Sequence, residues 1–298
     1  MRLNEFLSLA FVLSVLPPKA GASPTPDTNR VTILYDAFGS RRGLTRDWGF
    51  AALVEYGGKR ILFDTGNNAD IFARNVRTLG IDLRRLDLVV VSHRHGDHTA
   101  GLNHLLRVNP RVKIYAPRER FGVFGGALPG SFYRRDSTLP DSMRYFDAVS
   151  LAELKFGTPW PKANFSWVDS LTEVAPGVAI ISTISKTPGT LELRELSLVI
   201  RTPKGLVLLV GCSHPGIETI LEASRAWGDH VHLIFGGLHL VTSPDTAITR
   251  ITTALGDRWQ VDQIAPGHCT GEPAFAALKR LFGARYVYAG LGTVTKVP

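Results

Sequence analysis

Between Ser92 and Leu102 the chain reads Ser-His-Arg-His-Gly-Asp-His-Thr-Ala-Gly-Leu, which places three imidazoles and a carboxylate (His93, His95, Asp97, His98) inside six residues. The cluster follows the apolar run Leu86-Asp87-Leu88-Val89-Val90-Val91, which reads as a buried strand. Nitrogen and oxygen donors crowded at a strand end suit one or two divalent ions: zinc first, with iron or manganese as alternatives. Neutral imidazole is a good ligand for such ions near neutral pH. His93 and His95 lie two apart, so in an extended or turning segment their rings leave on one side and can share an ion. Asp97 and His98 open the next helix and can face a second ion, with Gly96 giving backbone freedom between the pairs. A polar turn that happens to be rich in histidine is the other reading, and the strand directly before the cluster argues against it.

Two more histidines sit at expected strand ends. His214 follows the run Leu206 to Val210 and is read as the third ligand beside His93 and His95. His268 lies just beyond the run Val261 to Ala265 and would complete a second set with Asp97 and His98. His239, in Gly236-Gly237-Leu238-His239, is read as a substrate contact donating to an anionic oxygen or leaving group; a core histidine is the alternative. His104, His230 and His232 are read as structural. Cys212 and Cys269 each stand beside an assigned histidine, so the two thiols must be near neighbours, either paired in an oxidising compartment or buried and free.

The elements that must position these groups are legible as alternating periods. Val31 to Tyr35, Phe50 to Glu55 and Arg60 to Phe63 read as strands, with Gly57-Gly58 as the second turn, and Asn68 to Leu79 as a helix stopped by Gly80. Ala100 to Val108 reads as a helix and Val112 to Ala116 as a strand. The second half repeats the pattern: strands at Phe165 to Val168, Val178 to Ser182, Ser197 to Arg201 and Leu206 to Val210, then a helix from Gly216 to Trp227. A strand at Val231 to Phe235 precedes a helix from Pro244 to Leu255 with Ser243 as its N-cap. Val261 to Ala265, a helix from Pro273 to Phe282 and a strand at Tyr286 to Ala289 complete the chain. Strands in both halves with helices around them predict an α/β fold of two sheets packed face to face, helices outside. From about Phe121 to Pro161 regularity fades while aromatic residues accumulate, which predicts an irregular insertion over the site.

The metal cluster resembles the signature of the metallo-β-lactamase superfamily. Other matching stretches are Gly49 to Val54, Leu62-Phe63-Asp64-Thr65-Gly66, Gly211 to Ile217, Gly236 to Leu240 and Pro266 to Gly271. The last three resemble the branch named after the dihydropterin-ribofuranosylaminobenzene phosphate synthase. The resemblance implies a four-layer αββα sandwich, with a one- or two-metal site on one edge. It also implies a structural role for Asp64, whose counterpart hydrogen-bonds the metal loop. Most relatives carry a histidine in a Pro-Gly-His stretch and a bridging aspartate after a later glycine. This chain has Thr187-Pro188-Gly189-Thr190 and Gly211-Cys212 at those places. Cys212 is therefore either a small buried residue beside the ligands or a thiolate ligand.

Met1 to Ala22 pairs an early Arg2 with the apolar run Phe6 to Leu16 and ends Ala20-Gly21-Ala22, the pattern of a secretory signal peptide cleaved after Ala22. The remaining chain, 23–298, is expected to be one domain without a membrane span, exported to a bacterial periplasm. The formal net charge is +8, and Arg2 and Lys19 against Glu5 account for one of these charges, leaving +7. The basic residues are scattered in small groups, which argues against a specific nucleic-acid interface and favours a small, acidic or phosphorylated substrate. The expected activity is hydrolysis of an ester, phosphoester or lactone by metal-activated water, with Asp97 as the catalytic carboxylate. An iron-dependent oxidoreductase and a non-catalytic metal- or ligand-binding protein are the competing readings.

Overall fold

The structure, a computed structural model, describes residues 29–120, 122–124, 136–145, 157–186 and 193–298. The expected signal peptide, Thr187 to Thr190 and most of the expected insertion lie outside these residues. Two sheets carry the described chain. The first has the order β13-β1-β2-β3-β4-β5-β6, built from β1 (Arg30–Tyr35), β2 (Ala51–Tyr56), β3 (Lys59–Phe63), β4 (Leu88–Val90), β5 (Lys113–Pro117), β6 (Asn164–Val168) and β13 (Val294–Lys296). The second has the order β12-β11-β10-β9-β8-β7, from β7 (Thr172–Ala175), β8 (Val178–Ile184), β9 (Arg194–Thr202), β10 (Gly205–Val210), β11 (Val231–Gly237) and β12 (Gln263–Gly267).

Alternation along the strands decides which layer each side chain enters. On β10, Val207 and Leu209 join the core between the sheets, while Leu206, Leu208 and Val210 join a second core under helices α4 (Ile217–Ser224), α5 (Asp245–Asp257) and α6 (Glu272–Phe282). On β3, Ile61 and Phe63 face inward, while Leu62 packs outward with Phe72 and Val76 of α1 (Ala69–Thr78) and Leu102 and Leu105 of α3 (Leu102–Val108). Both faces of each sheet are thus covered, giving the αββα sandwich. β3 to β6 run parallel, as do β10, β11 and β12. Parallel neighbours need crossovers, supplied by α1, α3, α4 and α5, and every such strand then ends at the same edge.

Three expectations at the margins are corrected. Strands β7 and β13 were not anticipated; each is a short sheet edge, and β13 is recognisable only by its pairing with β1. Tyr286 to Ala289 is not a strand, since the chain makes one bridge from Tyr286 to Ile264 and then turns through Gly290 to Gly292, whose N–H donates to Ile33. The helix after β11 is capped by Pro244 rather than Ser243, because Pro244 has extended backbone (ψ 158°) and its carbonyl accepts from Ile248.

Candidate metal centre

Five strand ends converge on one edge of the sandwich. β4 delivers Ser92 and the loop to helix α2 (Gly96–Thr99), β3 delivers Asp64, β10 leads to Cys212 and His214, β11 to His239 and β12 to His268. The loop is held between the sheets: Ser92 O accepts from Leu196 N at 2.8 Å, and His98 O accepts from Thr65 N at 2.8 Å.

The donor atoms of His93, His95 and His214 all lie within 4.8 Å of one another, and so do those of Asp97, His98 and His268. Ring centroids are 4.7 Å apart for His93 and His95 and 4.8 Å for His93 and His214. In the second group Asp97 Oδ2 is 3.2 Å from His268 Nε2, which in turn is 3.2 Å from His98 Nε2. The two groups adjoin, since the His93 and His98 rings are 4.2 Å apart. All six residues assigned as ligands from the sequence are therefore brought together, in the two sets expected.

Asp64 reaches both sets. It accepts from Ser92 N and Ser92 Oγ at 2.7 Å each, and Ser92 Oγ lies 2.8 Å from His93 Nδ1. A serine proton committed to Asp64 leaves Oγ to accept from His93 Nδ1–H, so the Nε2 lone pair of His93 is free to bind. Asp64 Oδ2 also takes His98 Nδ1–H at 2.7 Å, which turns His98 Nε2 toward Asp97, His268 and Cys212.

The fit to a divalent ion rests on the nitrogens left over. Nε2 of both His93 and His214 is buried without a hydrogen-bond partner, a costly state for an imidazole lone pair unless a cation takes it. Burial holds His93 and His214 well below the ordinary imidazole range and His95 at about 4, so all three stay neutral and ready to ligate. His98 behaves oppositely. Burial opposes its charged form, but Asp64 and Asp97 raise it to about 9. Asp97 is itself lowered, against the cost of burial, by His98 and His268. A carboxylate with three neutral imidazoles on one side and two imidazoles on the other is a donor set for one or two borderline divalent ions.

Cys212 and Cys269 are both free and buried, so the paired alternative is not what the fold adopts. Cys212 Sγ lies 3.2 Å from His98 Nε2, and its sulfur and the donor atoms of His93 and His98 all lie within 4.8 Å of one another, at the junction of the two sets. His239 faces the site from β11, its ring 4.2 Å from that of His214, and its donor atoms also group with Cys212 and Cys269. The structural histidines stand apart: His104 packs edge-on against Phe72, while His230 and His232 share the Asp262 carboxylate.

Five residues around the site have no role in the sequence reading. Glu195 of β9 is fully buried and accepts from Cys212 N (2.9 Å), Ser213 N (2.7 Å) and His214 N (2.8 Å). Asp36, after β1, is fully buried and accepts from His268 N at 3.1 Å and Ala37 N at 2.7 Å. Trp48 packs 5.1 Å from His268 and 5.4 Å from Tyr145, whose hydroxyl donates to His268 O and accepts from Gly271 N at 2.9 Å. Tyr145 belongs to the described part of the expected insertion, residues 136–145. Glu272 fastens that part by accepting from Asp136 N at 2.6 Å and Tyr145 N at 3.1 Å. An acid ending an apolar strand was the available signal for Asp36, as it was for Asp64.

Backbone strain gathers at the same edge. Of the five non-glycine residues with positive φ among the described residues, Asp64 (57°), Ser213 (64°), His239 (50°) and His268 (43°) belong to the site. Such conformations cost on the order of 1–2 kcal/mol each and persist where surrounding bonds fix them.

Comparison with known proteins agrees with this geometry. Residues 45–245 match the metallo-β-lactamase superfamily. A 7,8-dihydropterin-6-methyl-4-(β-D-ribofuranosyl)-aminobenzene-5'-phosphate synthase of Methanocaldococcus jannaschii is 30% identical over 255 residues, covering 78% of this chain and 82% of that protein. A solved metal-dependent hydrolase of the β-lactamase superfamily superimposes with TM-score 0.69 at 27% identity, over 90% of this chain and 99% of the other. A diphosphatase of the PhnP family shares the fold at TM-score 0.54 and 15% identity, over 90% of this chain and 98% of the other. The chain belongs to the metallo-β-lactamase superfamily.

Proposed function

We propose that the protein is an exported metal-dependent hydrolase acting on a small ester, phosphoester or lactone. The observation that carries this reading is the convergence of the two ligand sets, with the buried Nε2 atoms of His93 and His214 left unbonded. His93, His95 and His214 would hold one divalent ion, zinc first, and Asp97, His98 and His268 a second. Such ions supply Lewis acidity, making a water acidic enough to act as nucleophile near neutral pH and drawing charge from a substrate oxygen. Asp97 is 7% exposed and held anionic by His98 and His268 against the cost of burial, which suits it to ligate and to orient a water by accepting its hydrogen bond. His239 stands beside His214, raised above the ordinary imidazole range by Cys269 although burial opposes this, and would donate to charge developing on the substrate. The basic balance of the chain favours an acidic or phosphorylated substrate.

Elemental analysis of the purified protein, followed by a panel of lactones, carboxylic esters and phosphoesters with and without chelator, tests the reading. Chelator-sensitive turnover on one class supports it; bound metal without turnover on any class refutes it. Similarity to a synthase over most of the chain favours one second reading, group transfer, which would appear as turnover that requires an acceptor substrate. Export rests on the Met1 to Ala22 pattern, and N-terminal sequencing of the protein from fractionated cells should find Ser23 first.

A further inference from the structure

We propose that Glu195 and Asp36 are positioning residues, each governing one of the two ligand groups: Glu195 the group of His93, His95 and His214, and Asp36 the group of Asp97, His98 and His268. This inference rests on the metal-centre reading above.

Neither carboxylate touches a ligand side chain through the contacts described. Each instead gathers the backbone N–H groups of a ligand-bearing loop. Glu195 takes three consecutive donors, Cys212, Ser213 and His214, with both of its oxygens. Asp36 takes the N–H of His268 with both oxygens and that of Ala37 with one. Both acids are fully buried, which raises both above the ordinary carboxylate range, Asp36 to about 7, and the converging N–H donors offset part of that cost.

A second observation points the same way. The residues whose N–H groups these acids hold include two that adopt strained positive φ, Ser213 at 64° and His268 at 43°. In that conformation the peptide N–H turns inward to the carboxylate while the neighbouring side chain is sent toward the site. Without the acid the loop has no reason to stay strained, and relaxation would withdraw His214 in one case and His268 in the other. Asp64 differs, because it bonds the Ser92–His93 pair and His98 together and so serves both groups. Selectivity is therefore the property that separates the two proposed residues from a general structural acid.

The test is a Co2+ titration of the metal-free full chain in two backgrounds. His268→Ala leaves the first group to be read alone, and His95→Ala leaves the second. Glu195→Gln keeps the size of the side chain but sets an amide N–H against a backbone donor; Asp36→Asn does the same at the other loop. In the first background Glu195→Gln is expected to weaken Co2+ binding roughly 10–100-fold, the range for partners that orient ligands, and Asp36→Asn to leave it unchanged. In the second background the order reverses, with any effect of Glu195→Gln at least tenfold smaller. Glu195→Asp and Asp36→Glu, which keep the charge, should recover part of the loss and serve in place of an amide variant that does not fold. Asp64→Asn should weaken both groups. Equal losses in both backgrounds, or no loss in either, would overturn the inference. Failure of the unmodified chain to bind Co2+ at all would sink the metal-centre reading itself, so the two failures are distinguishable.

Discussion

A methyl group at Gly211 should damage the metal loop while leaving every ligand side chain in the sequence. A Cβ at Gly211 would lie 2.3 Å from Ser92 Oγ, 2.7 Å from Ser92 Cβ and 3.3 Å from His93 Nδ1. Ser92 cannot step aside, because its N–H and hydroxyl are both committed to Asp64 at 2.7 Å. Overpacking of this kind costs about 1–3 kcal/mol. Breaking the hydroxyl bond to the buried carboxylate adds about 1.5–3 kcal/mol. A combined loss of about 2.5–6 kcal/mol corresponds to a fall in Tm of roughly 5–24 °C for a domain of this size. Gly80→Ala is the control. Gly80 has positive φ, 69°, which Gly211 does not, but a Cβ there meets nothing within 4 Å, so only backbone strain of about 1–2 kcal/mol is at stake. Differential scanning calorimetry and metal analysis of both variants decide the matter. Gly211→Ala should lose stability and metal together, Gly80→Ala a little stability and no metal. Equal Tm shifts with full metal content in both would refute the reasoning.

Three further outcomes follow from the same geometry. His95→Ala should lose one ion and nearly all turnover while the metal-free form keeps its Tm within a few degrees, since His95 is the one residue of its otherwise buried loop that is partly exposed; full metal content would show that it is no ligand. Trp48→Ala, emptying a fully buried site between Tyr145 and His268, should cost about 3–5 kcal/mol by denaturant unfolding and weaken the second ion, whereas an unchanged midpoint would contradict the packing described. Cys212→Ala should ease removal of one ion by chelator roughly tenfold, and Cys212→Asp should restore or exceed the original affinity; an unchanged chelator midpoint in Cys212→Ala would show that the sulfur is only packed.

The sandwich was legible because its strands are buried on both faces and its helices on one, so two periods alternate plainly along the chain. Leu206 to Val210 is a case in point: every residue is apolar, which marks a strand covered on both sides, and the structure divides it between two cores. What was not legible lacks such a pattern. β13 contributes Val294, Thr295 and Lys296, of which two are exposed, and exists because β1 offers a free edge. The shift from Ser243 to Pro244 as cap reflects competition between two residues that each suit the start of a helix, decided by the chain's path out of β11 rather than by local preference.

For the site, residue type identified donors that could hold a cation and missed the acids that face the backbone. His93, His95, Asp97, His98, His214 and His268 announce themselves because imidazoles crowd at strand ends, where a structural role for so many is hard to supply. Glu195 stands in Arg194-Glu195-Leu196-Ser197 and gives no such sign, since one acid near the start of a strand is ordinarily solvated. Its burial turns the inference around. A fully buried carboxylate in a β-strand must be met by donors, and for Glu195, near the start of β9, the donors within reach are the N–H groups of the loop that leaves the antiparallel neighbour β10. The same holds for Asp36 and Asp64, each of which ends an apolar strand and is buried. An acid at the close of an apolar strand in this fold therefore marks a loop whose backbone has to be held, and the residue so held is where a ligand is to be sought.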